Sequence, residues 1–117
     1  MPLRIQRVYD DPTPDDGYRV LVDRLWPRGV SKERAHVDRW LKEVAPSNEL
    51  RTWFHHDRSL FDEFVVRYRA ELDANPAVEE LRAIVAEHPV VTLLYGAKDE
   101  QDNQAVVLRD YLESTRR

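Results

Sequence analysis

Two apolar runs stand apart from the rest of the chain: Val20-Leu21-Val22 and Val90-Val91-Thr92-Leu93-Leu94-Tyr95 carry no charge, whereas elsewhere apolar residues recur at spacings of three and four. A short run rich in β-branched residues, bounded here by Pro89 and Gly96, predicts a strand buried on both faces, as in a parallel sheet. The Val20 run sits in a segment from Tyr18 to Leu25 and predicts a second such strand at the centre of the sheet. Leu3 to Tyr9 alternates Leu3, Ile5 and Arg7 against Arg4, Gln6 and Val8, a strand pattern that ends in the aspartate- and proline-rich loop 10–17.

The helical periodicities lie between and after these strands. Ser31 offers an N-cap to a short turn holding Glu33 and Arg34. Val37, Trp40, Leu41 and Val44 predict a helix that Pro46 stops, and Ser47 with Leu50, Trp53 and Phe54 predicts a shorter one. Asp57 or Ser59 then caps a longer helix bearing Leu60, Phe61, Phe64, Val65, Tyr68 and Leu72. Asn75-Pro76 ends it and opens another, with Val78, Leu81, Ile84 and Val85 on one face and Pro89 as its terminator. Ala105, Val106, Leu108, Tyr111 and Leu112 give a final helix whose end at Arg116 and Arg117 suits the negative pole of a helix. The order β-β-α-α-α-α-β-α predicts one α/β domain over residues 1–117. Its architecture is a three-layer α/β/α sandwich with a small, mainly parallel central sheet, the Val20 and Val91 strands adjacent or nearly so. Trp40, Trp53, Phe61, Phe64, Leu81, Leu93 and Leu108 are expected in the core.

Composition narrows the function classes. A chain of 117 residues buries roughly 65% of its unfolded surface and needs no staple to fold. With 34% charged and 42% hydrophobic residues it reads as globular and soluble. The formal net charge of −4 argues against a dedicated DNA binder, which normally shows a basic excess. The absence of cysteine excludes disulfides, thiolate catalysis, iron–sulfur clusters and cysteine-ligated zinc. The first residues are too polar for a signal peptide and no run approaches the ~20 apolar residues of a membrane span, so a cytoplasmic location is expected, with no membrane partner. The oligomeric state stays open.

Candidate chemistry gathers where the first buried strand ends, in Asp23-Arg24-Leu25-Trp26-Pro27-Arg28-Gly29. Pro27 biases Trp26 away from the helical region and Gly29 permits a sharp exit, so the turn aims its side chains. Arg24 and Arg28 present paired donors that match a phosphate or carboxylate; the plainer reading is an ion pair with Asp10, Asp11 or Asp23. Asp23 is a candidate general base or metal ligand, although an aspartate there is more often a cap or ion-pair partner. After the other buried strand, Gly96-Ala97-Lys98 leads towards a helix, where amides and the helix pole favour an anion, although the Walker pattern is absent. Parallel pairing would bring both loops to the carboxyl edge of the sheet, where open α/β sheets bind ligands. Asp23, Arg24, Trp26, Arg28, Lys98 and Asn103 are therefore expected on one concave surface. His55-His56-Asp57 is a weak metal motif, since neighbouring helical side chains diverge by about 100°. A helix-end histidine beside a capping aspartate accounts for it better, and no metal or cofactor is predicted. His36 and His88 are expected to be exposed.

The runs VYDDP, GYRVLVDRLWPRGVSKE, RWLKEVAPSNELRTWFHHD, RYRAEL and VTLLYGAKDEQDNQAVVL together resemble the domain-of-unknown-function 488 family, in its short YeaO-like branch, over nearly the whole chain. The resemblance implies a compact α/β domain inside a bacterial or archaeal cell and brings no settled reaction with it. The family's recurrent polar positions fall on Asp23, Arg24, Arg28 and Lys32, on Lys42, Pro46, Ser47 and Arg51, and on Lys98 and Asn103. Two departures matter. Gln104 stands where relatives often carry histidine or another polar residue, and Tyr95 where another branch has cysteine, so neither imidazole nor thiol chemistry is inherited. The favoured function is binding of a small phosphate- or carboxylate-bearing ligand, with turnover by Asp23 as acid/base left open. The alternatives are a nucleic-acid-associated or regulatory module using the basic segment Arg24, Arg28, Lys32 and Arg34 with Trp26 interleaved, and an interaction domain with no ligand.

Overall fold

The two apolar runs lie side by side at the centre of one sheet. In the computed structural model, which describes residues 3–55 and 57–115, the elements are β1 (Leu3–Arg7), β2 (Tyr18–Leu21), α1 (Lys32–Ala35), β3 (Arg39–Trp40), α2 (Asn48–Phe54), α3 (Phe61–Asp73), α4 (Ala77–Glu87), β4 (Val91–Tyr95) and α5 (Gln104–Thr115). The four strands run in the order β1-β4-β2-β3 and every pairing is parallel. Val20 faces Leu93 and Leu21 faces Leu94 in the β2–β4 register, so the adjacency expected of the two runs is met directly. His56, and with it half of the histidine motif, lies outside the described residues, as do Arg116 and Arg117.

Side-chain alternation along the strands builds two cores. Val20, Val22, Leu41, Val91 and Leu93 join the larger cluster with the buried faces of α2 to α5, including Phe64, Tyr68, Leu81 and Leu108. Leu21 and Leu94 point the other way, into a smaller cluster with Val8, Val30 and Ala35, against which Trp26, Val37 and Trp40 pack. The result is an α/β sandwich with one thick helical layer and one thin layer formed by α1 and its flanking loops.

The helix expected over Val37 to Val44 is absent. The chain there forms β3, pairing with β2, and then a single 3-10 turn at Lys42–Val44. Its apolar residues also fit a two-residue period: Trp40 packs on the smaller cluster while neighbouring Leu41 enters the larger one. A stripe at three and four cannot separate these readings over so short a segment. The core assignments of Phe64, Leu81, Leu93 and Leu108 hold, each being at most 2% exposed. Trp40, Trp53 and Phe61 are only half-buried. Trp53 lies at the rim under the Arg67 guanidinium, 4.4 Å from its carbon, and the Trp40 indole donates 2.7 Å to the Asp23 carbonyl. His88 is likewise half-buried, stacked 4.0 Å on Tyr18, while His36 is exposed. The capping residues behave as their types dictate: Ser31 accepts from the Arg34 amide, Ser47 from Leu50 and Asp57 from Ser59.

Candidate functional site

Asp23 sits just past β2, where the β2 and β4 strand ends meet the start of α5. Its Oδ2 accepts the Gly96 amide at 2.8 Å and its Oδ1 accepts the Gln104 side-chain amide. Glycine at 96 makes the approach possible, because a Cβ there would lie 3.0 Å from that same oxygen. No described lysine or arginine is within ion-pairing distance of the carboxylate. Burial pushes its pKa up to about 6, and the Gly96 and Gln104 hydrogen bonds offset only part of that rise. The carboxyl thus changes charge close to neutral pH.

The neighbouring Arg24 turns away from every aspartate proposed as its partner. Its Nε and Nη2 donate to the Pro46 and Ala45 carbonyls, each at 3.1 Å. The same loop is gripped from α3, where the Tyr68 hydroxyl donates 2.6 Å to the Val44 carbonyl and Glu71 accepts from the Ser47 amide (2.9 Å) and hydroxyl (2.6 Å). Four successive residues are thereby fixed, and α2, which carries Arg51, starts directly behind them. Across the turn, Trp26 donates 2.7 Å to the Val30 carbonyl and meets Trp40 edge-on at 5.5 Å. Gly29 has φ 73°, the left-handed exit that the sequence implies. Arg28 is exposed, and its backbone carbonyl accepts the Tyr9 hydroxyl at 3.0 Å.

These groups surround a cavity of about 390 Å³, with Asp23 and Gln104, three guanidinium residues (Arg24, Arg28 and Arg51), and an apolar wall that includes Trp26, Phe54 and Phe64. None of the three arginines forms an ion pair with a described carboxylate; among the described residues the Arg51 side chain donates only to that of Asn48, at 3.2 Å. Of the residues expected on one surface, Asp23, Arg24, Trp26 and Arg28 come together and Lys98 and Asn103 do not. Lys98 is exposed in a loop that runs on to Asn103, because α5 begins only at Gln104. Asn103 is fully buried and committed to that loop, donating 2.8 Å to the Asp99 carbonyl and accepting the Val106 amide at 3.1 Å. Arg51 and Gln104 join the cavity without having been singled out as contacts. The family resemblance marked Arg51 among recurrent polar positions and Gln104 as a departure, which was the available signal for both.

The other candidate chemistries find ordinary partners. Arg34, in the basic segment, pairs with Asp11 at 3.5 Å, and His55 closes α2 in a left-handed conformation (φ 45°), its amide donating to the Arg51 carbonyl. Among the described residues, no group of three or more histidine, aspartate or glutamate side chains is placed to hold a metal ion. Among them, too, no helix is long and apolar enough to cross a membrane.

A family model described as the inactive DUF488-N3 subclade matches residues 2–117. The chain belongs to the DUF488 family. It is 46% identical over 110 residues to the uncharacterized protein Rv3073c of Mycobacterium tuberculosis, covering 94% of this chain and 92% of that one. It is 44% identical over 114 residues to the uncharacterized protein YeaO of Escherichia coli, covering 97% and 99%. No solved structure matches. The DUF488 block from Asp23 to Gly29 is the stretch that forms the turn over the cavity.

Proposed function

We propose that this DUF488 protein binds a small anionic ligand, bearing a phosphate or carboxylate, in the cavity at the carboxyl edge of its sheet. One observation carries the proposal: Arg24, Arg28 and Arg51 line a single cavity without a carboxylate partner among the described residues, in a chain whose acidic residues outnumber its basic ones, 22 to 18. The forked donors of a guanidinium group match the oxygens of a phosphate or carboxylate. Arg28 and Arg51 are the primary contacts, since their side chains have the fewest protein bonds. Arg24 adds charge while holding the loop ahead of α2, and Trp26 supplies an apolar wall. The cavity lies at the small end of the usual range for ligand pockets, about 300–1,000 Å³, which fits a metabolite better than a polymer. The subclade's description as inactive favours binding without turnover, so Asp23 serves as a ligand contact and not as a general base.

Calorimetric titration with a panel of phosphate monoesters and small carboxylates tests this. Saturable binding by the wild type that Arg28→Ala/Arg51→Ala abolishes, with an unchanged melting temperature, supports the site; equal affinity in the double variant removes it.

A further inference from the structure

The same cavity holds a carboxylate that its own arginines leave alone. Asp23 and Gln104 line it together with Arg24, Arg28 and Arg51, yet among the described residues the Asp23 carboxylate accepts only from the Gly96 amide and the Gln104 side chain. Arg24, its neighbour in sequence, reaches instead to the Ala45 and Pro46 carbonyls. Positive and negative groups thus line one small volume without a direct ion pair between them. A plain anion such as sulfate would satisfy the guanidinium groups and set a second negative charge near the Asp23 carboxylate. A molecule with an acidic group at one end and an ammonium group at the other satisfies both sides, since each Asp23 oxygen has a lone pair beyond the one already engaged.

We infer that the ligand of this cavity is a small zwitterion, its acidic group held by Arg28 and Arg51 and its ammonium group by Asp23, which makes Asp23 the specificity-determining residue. This rests on the anion-binding proposal and sharpens it. Asp23 acts by direct contact: a charge-assisted hydrogen bond discriminates ligands that differ by a single donor. The burial that raises the Asp23 pKa to about 6 also describes a carboxylate lacking a cation, the state a ligand ammonium would relieve.

O-phosphoethanolamine and ethyl phosphate share a phosphate monoester and a similar length and differ in the amine, so titrating both into the wild type isolates that group. Phosphoethanolamine should bind at least about tenfold more tightly, the ratio expected of one charge-assisted hydrogen bond. In Asp23→Asn the preference should shrink to within about twofold, because phosphoethanolamine loses the contact to its amine. The isosteric amide keeps an acceptor for Gly96 and meets Gln104 after a flip of that side chain. Equal wild-type affinities would overturn the zwitterion inference and leave anion binding standing, and that comparison decides even if the variant fails to fold. A preference that survives Asp23→Asn would remove Asp23 from the role. If neither compound binds, the inference falls together with the anion site.

Discussion

The two ends of β2 treat charge in opposite ways. At the amino end, Asp16 and Arg19 are both buried, 0% and 4% exposed, and form an ion pair. Arg19 also donates to the His36 carbonyl at 3.0 Å and the Ala35 carbonyl at 2.9 Å, and Asp16 accepts the Thr13 amide at 3.0 Å and hydroxyl at 2.9 Å. Burial alone would raise the Asp16 pKa, but the Thr13 hydrogen bonds and the Arg19 charge outweigh it and leave the carboxyl below its ordinary range. At the carboxyl end, Asp23 and its three neighbouring arginines make no ion pair among the described residues. A closed, mutually satisfied network ties the thin layer to the sheet. In the open set around the cavity Arg24 still holds the loop ahead of α2, whereas Arg28 and Arg51 carry little of the fold, which leaves them to the proposed ligand.

Breaking the closed network should have the largest effect. Asp16→Ala leaves the Arg19 guanidinium buried without its partner and should cost about 3–5 kcal/mol in urea denaturation, with anion affinity unchanged in whatever fraction stays folded. A loss below about 1 kcal/mol would erase the contrast between the ends.

Asp23 should respond with the opposite sign. Its carboxyl titrates near 6 when folded and near the ordinary value of about 3.9 when unfolded, so between those values the native state holds a proton that the unfolded chain has released. Stability therefore falls as pH rises through this window, and the penalty is complete above it. Asp23→Asn should stabilise the protein by about 2–3 kcal/mol near pH 7.5 and converge with the wild type near pH 4. Destabilisation at both pH values would show that the charged carboxylate serves as a structural acceptor.

Arg24→Ala removes two charged hydrogen bonds to the loop ahead of α2 and should cost about 2 kcal/mol in the same denaturation assay, weakening anion binding as well. Arg28→Ala, on an exposed side chain, should stay within about 0.5 kcal/mol of the wild type while lowering anion affinity. If Arg28→Ala destabilised more than Arg24→Ala, the assignment of one as scaffold and the other as contact would be reversed.

Much of this was legible before folding because the signals were local. The Val20 and Val91 runs could hardly be anything but buried strands, and their parallel pairing carried Asp23, Arg24, Trp26 and Arg28 to one edge. What escaped depended on contacts distant in sequence. Trp40 looked like part of a helical stripe because nothing local says that Arg39 and Trp40 pair with Val20 and Leu21. Arg24 looked like a partner for a nearby aspartate, whereas its acceptors are backbone carbonyls more than twenty residues away, which no residue type announces. Arg19 was hidden inside an apolar strand, and its burial follows only once Asp16 folds back over it. Lys98 was expected in the site because Gly96-Ala97-Lys98 leads from a strand to a helix, and Asn103 because it is a recurrent polar position of the family; Lys98 is exposed in the intervening loop, and Asn103 caps the helix that begins one residue later.

The central claim is that the unmatched charges at the carboxyl end form the ligand site and the matched ones at the amino end do not. Amide and side-chain NMR resonances followed during titration with O-phosphoethanolamine test it most directly. The account predicts saturable shifts at Arg28, Arg51, Gly96, Ala97 and the Gln104 side-chain amide, with Asp16, Arg19, Asp38 and His88 unmoved. Shifts centred on the amino end, or none that saturate, would contradict it.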